Sequence, residues 1–336
     1  MEEVMYNVSY SDMREMLKDC ICEVQKSSAN IGVSGIPSGF PDLDVLTDGF
    51  KKGKVYIVGG RPCMGKEEFM LSMIKDIVVE SKVPLLLFST NNMKQNYVQR
   101  LLSIHCDIST SLLHQGALKP NEWVRIDKEI DTLVDAPLFI HDCLDLPLNE
   151  LRETAGKCIR EKAVKIIFID CLQMIDFDKE EKNISERIAE VMHSLKKWAC
   201  LFEVPIVVGS MISRSVEYRE GIEGKLPQFM DLANSSYIEE LADVVMMVHR
   251  PEYYLIYEDY LGRDLHGIME IYVKKNNLNP LGSILLNYHE DTGIVISRKS
   301  ANASDSKPVR LKDLNIENKA VKNLIQTFGL EEELPF

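Results

Sequence analysis

The sequence predicts an α/β fold, a mostly parallel sheet covered by helices on both faces, and three observations carry that prediction. First, the apolar run Val55-Tyr56-Ile57-Val58 enters a loop with glycines at 60 and 65 and a lysine at 66. Phe69, Met70, Met73 and Ile74 follow at helix-face spacing. Second, short and wholly apolar runs alternate with helical patterns, the signature of strands buried on both faces. Third, strand patterns at 268–274, 283–288 and 293–297 stand close together and predict an antiparallel edge.

Taken in order, residues 9–28 predict an amphipathic helix. Ser11 caps it, and Met13, Met16, Leu17, Cys20, Ile21 and Val24 form its apolar stripe. A glycine- and proline-bearing stretch, 35–54, leads to the first strand. Strands are then predicted at 83–89, 138–140, 165–170, 204–209 and 243–248, and helices at 93–106, 109–115, 120–134, 147–162 and 184–202. Residues 300–310 read as a flexible linker and 315–328 as a short amphipathic helix. The organisation expected is a linker helix over 1–30, one domain over 31–299, and a linker, helix and acidic tail over 300–336.

The 336 residues are 45% apolar, enough for one sizeable domain with appendages. A formal charge of −13 argues against non-specific nucleic-acid binding, though it is compatible with a local basic groove. No apolar run approaches ~18 residues, so no membrane-spanning helix is expected. Met1-Glu2-Glu3 does not begin a signal peptide. Eight scattered cysteines without a C-x-x-C pair read as reduced thiols of a cytoplasmic protein, in preference to zinc ligands or disulfides.

The stretch Gly35–Phe50, the loop Gly60-Arg61-Pro62-Cys63-Met64-Gly65-Lys66 and Ile169-Asp170-Cys171-Leu172-Gln173 together resemble the RecA-like motor domain of DnaB-type replicative helicases. So do 214–219, 238–243 and Arg250. The likeness runs in one order over roughly 9–299. It implies a RecA-like P-loop fold, a nucleotide with Mg²⁺ as ligand, and assembly into a ring in which the linker helix packs on the neighbouring subunit. The chain is too short to add that family's primase-contacting domain.

Hydrolysis in such a fold needs a phosphate cradle, a held Mg²⁺, an oriented water and charge stabilisation. The resemblance places Gly60 through Lys66 in the cradle. It makes Asp170 the carboxylate that holds Mg²⁺ through water, and Lys275 the lysine that reaches a neighbour's nucleotide. Four positions depart. Glu67 stands where a hydroxyl should bind Mg²⁺ and brings negative charge toward phosphates. Asn91 stands where a glutamate should activate water, and an amide cannot take up its proton. Shifting the register to Asn92 supplies no carboxylate, and Glu68 lies on the wrong side to substitute. Met211 replaces a nucleotide-sensing glutamine. Asn277 replaces an arginine finger, whose loss costs ~10³–10⁵ in rate. The reading is a DNA-replication protein impaired in hydrolysis, with ATP or another nucleotide bound weakly or not at all. An ATP-driven helicase with compensated substitutions and a nucleotide-sensing regulator are the alternatives.

Two further stretches bear on partners. The loops that would line a ring's channel, 176–183 and 214–228, are net negative and near neutral, so single-stranded DNA contact is expected to be weak. The chain closes with Glu331-Glu332-Glu333-Leu334-Pro335-Phe336, similar to the acidic tip of bacterial single-stranded-DNA-binding protein. That likeness implies replication or repair partners that seat Phe336 in an apolar pocket and pair its carboxylate with a base. Copies of the chain itself or a related helicase subunit are the other expected partners, and no membrane is.

Overall fold

The computed structural model describes residues 12–14, 16–18, 20–21, 33–90, 94–144, 146–176, 183–232, 235–277 and 279–298. Contacts divide the chain into Gly35–Lys299 and a second unit of Met1–Ser34 with Ser300–Phe336. In the second unit the described residues between 13 and 21 are helical, and Met13, Met16 and Leu17 of the expected stripe are exposed. Asp12 accepts the Arg14 N–H at 2.7 Å at the start of this helix, and Ser11, its expected cap, lies outside the described residues. The linker, short helix and acidic tail expected over 300–336 lie outside the described residues.

The larger unit is organised by β1 (Val55–Gly60), all six of whose residues are buried. It pairs in parallel with β7 (Ile206–Met211) on one side and β8 (Val244–His249) on the other. Beyond β7 the parallel sheet continues through β5 (Ile166–Ile169), β2 (Leu85–Ser89) and β3 (Leu138–Asp142). Beyond β8 come β9 (Ile268–Asn276), β10 (Gly282–His289) and β11 (Ile294–Ser297), all antiparallel. The sheet order is therefore β11-β10-β9-β8-β1-β7-β5-β2-β3, and the expected antiparallel edge is real. A two-stranded ribbon of β4 (Leu146–Pro147) and β6 (Ile175–Asp176) was not legible in the sequence, because strands of two residues carry no periodicity.

Parallel strands need crossovers, and these supply the helices. The helices are α1 (Pro41–Thr47), α2 (Lys66–Lys75), α3 (Lys94–Cys106), α4 (Thr110–Gln115) and α5 (Pro120–Val134). They continue with α6 (Leu148–Lys162), α7 (Ile184–Phe202), α8 (Gly221–Gly224) and α9 (Ser235–Leu241). Alternate residues of β1 enter different cores. Tyr56 and Val58 join Phe69, Met73 and Phe168, whereas Val55 and Ile57 join Leu195, Trp198 and Val208. Close approach dictates one glycine here: a Cβ on Gly209 would stand 2.1 Å from the Asp170 carbonyl oxygen. At the amino end of β1, Asp243 accepts the Val55 N–H at 2.9 Å and pairs with Lys54 at 3.1 Å and Lys196 at 2.5 Å. Burial opposes its charge, but Lys196, the Val55 amide and Lys54 outweigh that and hold its carboxyl below the usual range.

His249, at the end of β8, is buried against Tyr254 (centroids 5.7 Å apart) and Tyr272 (6.4 Å). Burial, with Lys274 adding to it, pushes its pKa down to about 4. The unfolded chain therefore takes up this proton first as pH falls below 6.5. The neutral ring's contribution to stability is complete above 6.5 and is lost as pH falls toward 4. At most it is worth ~3 kcal/mol. Between pH 7 and 4 the wild type should lose about 2–3 kcal/mol more unfolding free energy than His249→Phe, read by urea denaturation.

Candidate nucleotide-phosphate site

The loop at the carboxyl end of β1 turns through two left-handed residues, Cys63 (φ +64°) and Gly65 (φ +81°), before α2 begins. The positive φ is what demands glycine at Gly65; a Cβ there would also meet the flexible Met269 methyl at 2.4 Å. Met64 is buried beneath the loop. The Lys66 ammonium lies 3.4 Å from the Asp170 carbonyl oxygen, donating to it across the mouth of the loop. A loop curled this way into the first turn of a ten-residue helix, with a lysine at its exit, has the chemistry of a polyphosphate cradle.

Two arginines hold the cradle from outside, and only one belonged to the sequence-predicted set. Arg61 does not face the loop's interior. Its guanidinium binds the Glu217 carboxylate at 2.6 and 3.0 Å and the Ile212 carbonyl at 3.1 Å, tying the loop to the 3₁₀ turn Arg214–Tyr218 after β7. Arg250, buried at the end of β8, donates to the Cys63 carbonyl at 3.2 Å. It lies over the Tyr288 ring, 4.3 Å from its centroid.

The acid positions behave differently from their sequence reading. Glu67 was expected to bring uncompensated charge to the phosphates. Instead Arg100 of α3 forms short ion pairs with both Glu67 and Glu68, so neither acid faces the loop as an isolated charge. The guanidinium stays ionised because the two carboxylates outweigh the cost of its burial. Arg100 was missed because it stands 33 residues from Glu67, a separation no local pattern spans. Asp170 is buried at the end of β5, where it accepts the Thr90 N–H at 3.0 Å, the Thr90 hydroxyl and the Tyr97 hydroxyl at 2.7 Å. Mg²⁺ in such sites takes waters, phosphate oxygens and one or two protein oxygens in octahedral order. Glu67, engaged by Arg100, stands in the place of the hydroxyl such a site offers the metal, and Asp170 is held by Thr90 and Tyr97. The loop itself has the geometry of a polyphosphate cradle.

The remaining predicted positions divide by place. Met211 ends β7, where its N–H donates to the Gln173 side chain at 3.1 Å; that same amide donates to Ser210 at 3.0 Å. The Gln173 side chain thus binds the end of β7 at both Ser210 and Met211. Asn91 lies outside the described residues, as do Glu331 through Phe336. Lys275 and Asn277 are not brought to the loop. Their strand runs antiparallel to β8, so Lys275 pairs in register with Val245, and the Asn277 N–H binds the Asp243 carbonyl at the opposite end of the sheet from Gly60. The Lys275 ammonium instead binds the Glu239 and Glu240 carbonyls at the end of α9. In the second expected channel loop, Arg219 pairs with buried Asp231 at 2.5 Å and Lys225 donates to the Glu217 carbonyl at 2.7 Å.

A glycine loop at the carboxyl end of the central strand of a mostly parallel sheet, opening a helix with a lysine at its start, is the arrangement of the P-loop class of proteins. Within that class, residues 35–294 match the DnaB-like helicase C terminal domain, and the chain belongs to that family. It is 32% identical over 276 residues to a probable replicative DNA helicase of Trieres chinensis, covering 82% of this chain and 60% of that protein. With the replicative DNA helicase DnaB of Geobacillus stearothermophilus it shares 30% over 257 residues, 76% of this chain and 54% of the relative. The chain thus spans little more than half the length of these curated relatives. A separately solved ATPase domain superposes with a TM-score of 0.79 at 24% identity, covering 87% of this chain and all of that one. A DnaB-like replicative helicase solved for its interactions with primase gives 0.76 at 24%, covering 87% and 68%. At that identity the two structures establish the fold.

The anchoring of Asp170 can be tested directly. Tyr97→Phe keeps the ring and removes one donor from a buried carboxylate, so it should cost about 1–3 kcal/mol of unfolding free energy in denaturant melts.

Proposed function

We propose that this chain is a DnaB-type motor domain associated with DNA replication that no longer hydrolyses nucleotide efficiently and works through assembly and partner recruitment. The observation that carries the reading is the pair of engaged carboxylates: Glu67 held by Arg100, and Asp170 held by Thr90 and Tyr97. Asn91 and Asn277, in the places of the base and the finger, add to it. The cradle and Lys66 support retained nucleotide binding, and any magnesium there contributes little to the grip. Family membership with Lys66 and Asp170 in place equally supports an ATP-driven helicase, so turnover is the measurement that decides.

The position of Lys275 supports head-to-tail assembly. It lies at the end of the sheet away from its own phosphate loop, as expected of a lysine that serves the nucleotide of a neighbouring copy or a related helicase subunit. The engaged Arg219 and Lys225 support weak contact with single-stranded DNA. We place the protein in the cytoplasm; among the described residues no helix is long and apolar enough to cross a membrane.

Steady-state ATPase assays with and without single-stranded DNA should give turnover far below ~1 s⁻¹, the low end of ordinary enzymes. Restoring Glu67→Thr, Asn91→Glu and Asn277→Arg together should raise it at least ~10³-fold. Turnover near one per second in the wild type would identify a working motor instead. For the tail, one residue added after Phe336 displaces the terminal carboxylate. It should weaken binding of proteins that recognise the tip of single-stranded-DNA-binding protein by ~10-fold or more, the worth of one charged hydrogen bond. Equal binding of the extended chain, measured by fluorescence anisotropy, would remove the tail from the proposal.

A further inference from the structure

His141, Cys143 and Glu150 form a second cluster of ionisable side chains, one strand outward from Thr90 and independent of the nucleotide reading. His141 and Cys143 stand two residues apart on extended backbone at the carboxyl end of β3, so their side chains leave the same face. Glu150 reaches them from the first turn of α6, fixed by Pro147 as the residue preceding the helix. The imidazole Nε2 lies 2.9 Å from Glu150 Oε1, and the Cys143 sulfur lies 4.0 Å from Glu150 Oε2. One donor atom from each of the three falls within 4.8 Å of the others.

We propose that these three side chains bind a zinc-type divalent cation, with water completing the shell. Tetrahedral zinc with ligands at about 2.0–2.3 Å separates them by roughly 3.3–3.8 Å. The separations from Glu150, 2.9 Å to His141 and 4.0 Å to Cys143, bracket that range, and every pair lies within 4.8 Å, so the three side chains close on an ion by adjusting their rotamers. Thiolate, imidazole and carboxylate together favour Zn²⁺ or Co²⁺ over Mg²⁺ or Ca²⁺, which prefer oxygen alone. The His141 side chain is 26% exposed and that of Glu150 42%, leaving an open side from which the ion and its water enter. On binding, the Cys143 thiol gives its proton to solvent, and His141 keeps its single proton on Nδ1. The scaffold is already in place. The Cys143 N–H donates to the Ser89 carbonyl at 3.0 Å, β3 pairs with β2 as far as Asp142, and the ring of Phe88 packs edge-on against His141 at 5.4 Å. A bound ion would join β3 to α6 beside Thr90, the residue that holds Asp170.

Cobalt is the probe. Titrated into the full chain after treatment with chelator and dialysis, Co²⁺ should produce a thiolate-to-metal charge-transfer band and tetrahedral d–d bands, saturating at one ion per chain. Cys143→Ser should abolish the charge-transfer band, whereas His141→Ala and Glu150→Gln should weaken cobalt binding by ~10-fold or more. Cys200→Ser, at an exposed thiol elsewhere on the surface, should leave the spectrum unchanged. Zinc should displace cobalt stoichiometrically and raise the melting temperature of the wild type but not of Cys143→Ser. No charge-transfer band in the wild type, or one that persists in Cys143→Ser, overturns the assignment. Because these spectra are read without nucleotide or DNA, their outcome is separate from that of the turnover assays.

Discussion

Strand β1 has no exposed face, and the rest of the domain follows from that. With parallel partners on both edges and a packed core on each side, it can be reached only by crossovers, which cover both faces with helices. Its amino end is tied down by Asp243 through the Val55 amide and two lysines. Its carboxyl end has nowhere to go but out of the sheet edge, and the glycine loop makes that exit. The cradle is therefore as rigid as the strand that carries it. Even the neighbouring Gly209 is dictated by how closely β5 approaches β7.

Around this fixed loop the charges are balanced in an unusual way. Glu67 and Glu68 enter the first turn of α2, where acids favour the helix dipole but oppose a phosphate. Arg100 removes that opposition by holding both, and Asp170 is likewise held by Thr90 and Tyr97. The loop keeps the geometry of a polyanion site while Glu67, Glu68 and Asp170 are each engaged by protein donors. Grip on a polyphosphate and the chemistry on it depend on different atoms.

Much of the fold was legible because its signals are local. The helices at 94–106, 120–134, 148–162 and 184–202 follow from 3.6-residue periodicity, and the buried strands from short apolar runs. The antiparallel edge was legible because three strand patterns crowd together with no room for crossovers. The π-helical turn Asp76–Glu80 and the ribbon of β4 and β6 left no such trace. At the site, the loop could be read from spacing and the Asp170 position from the family resemblance, but their partners could not. Cysteine spacing likewise counts only like residues along the chain, so it carries no information on the grouping of His141, Cys143 and Glu150, which joins a strand end to a helix turn.

By itself the sequence determined the parallel α/β class, the phosphate loop and which side chains depart from the family pattern, because each is encoded in neighbours a few residues apart. Only the tertiary structure decided which side chains stand around the described departures. It decided that Arg100 neutralises Glu67, that Arg250 reaches the loop's carbonyl, and that Lys275 faces away from its own cradle. Charge compensation and reach depend on distance in space, and it is the order of strands in the sheet that converts a separation in sequence into one.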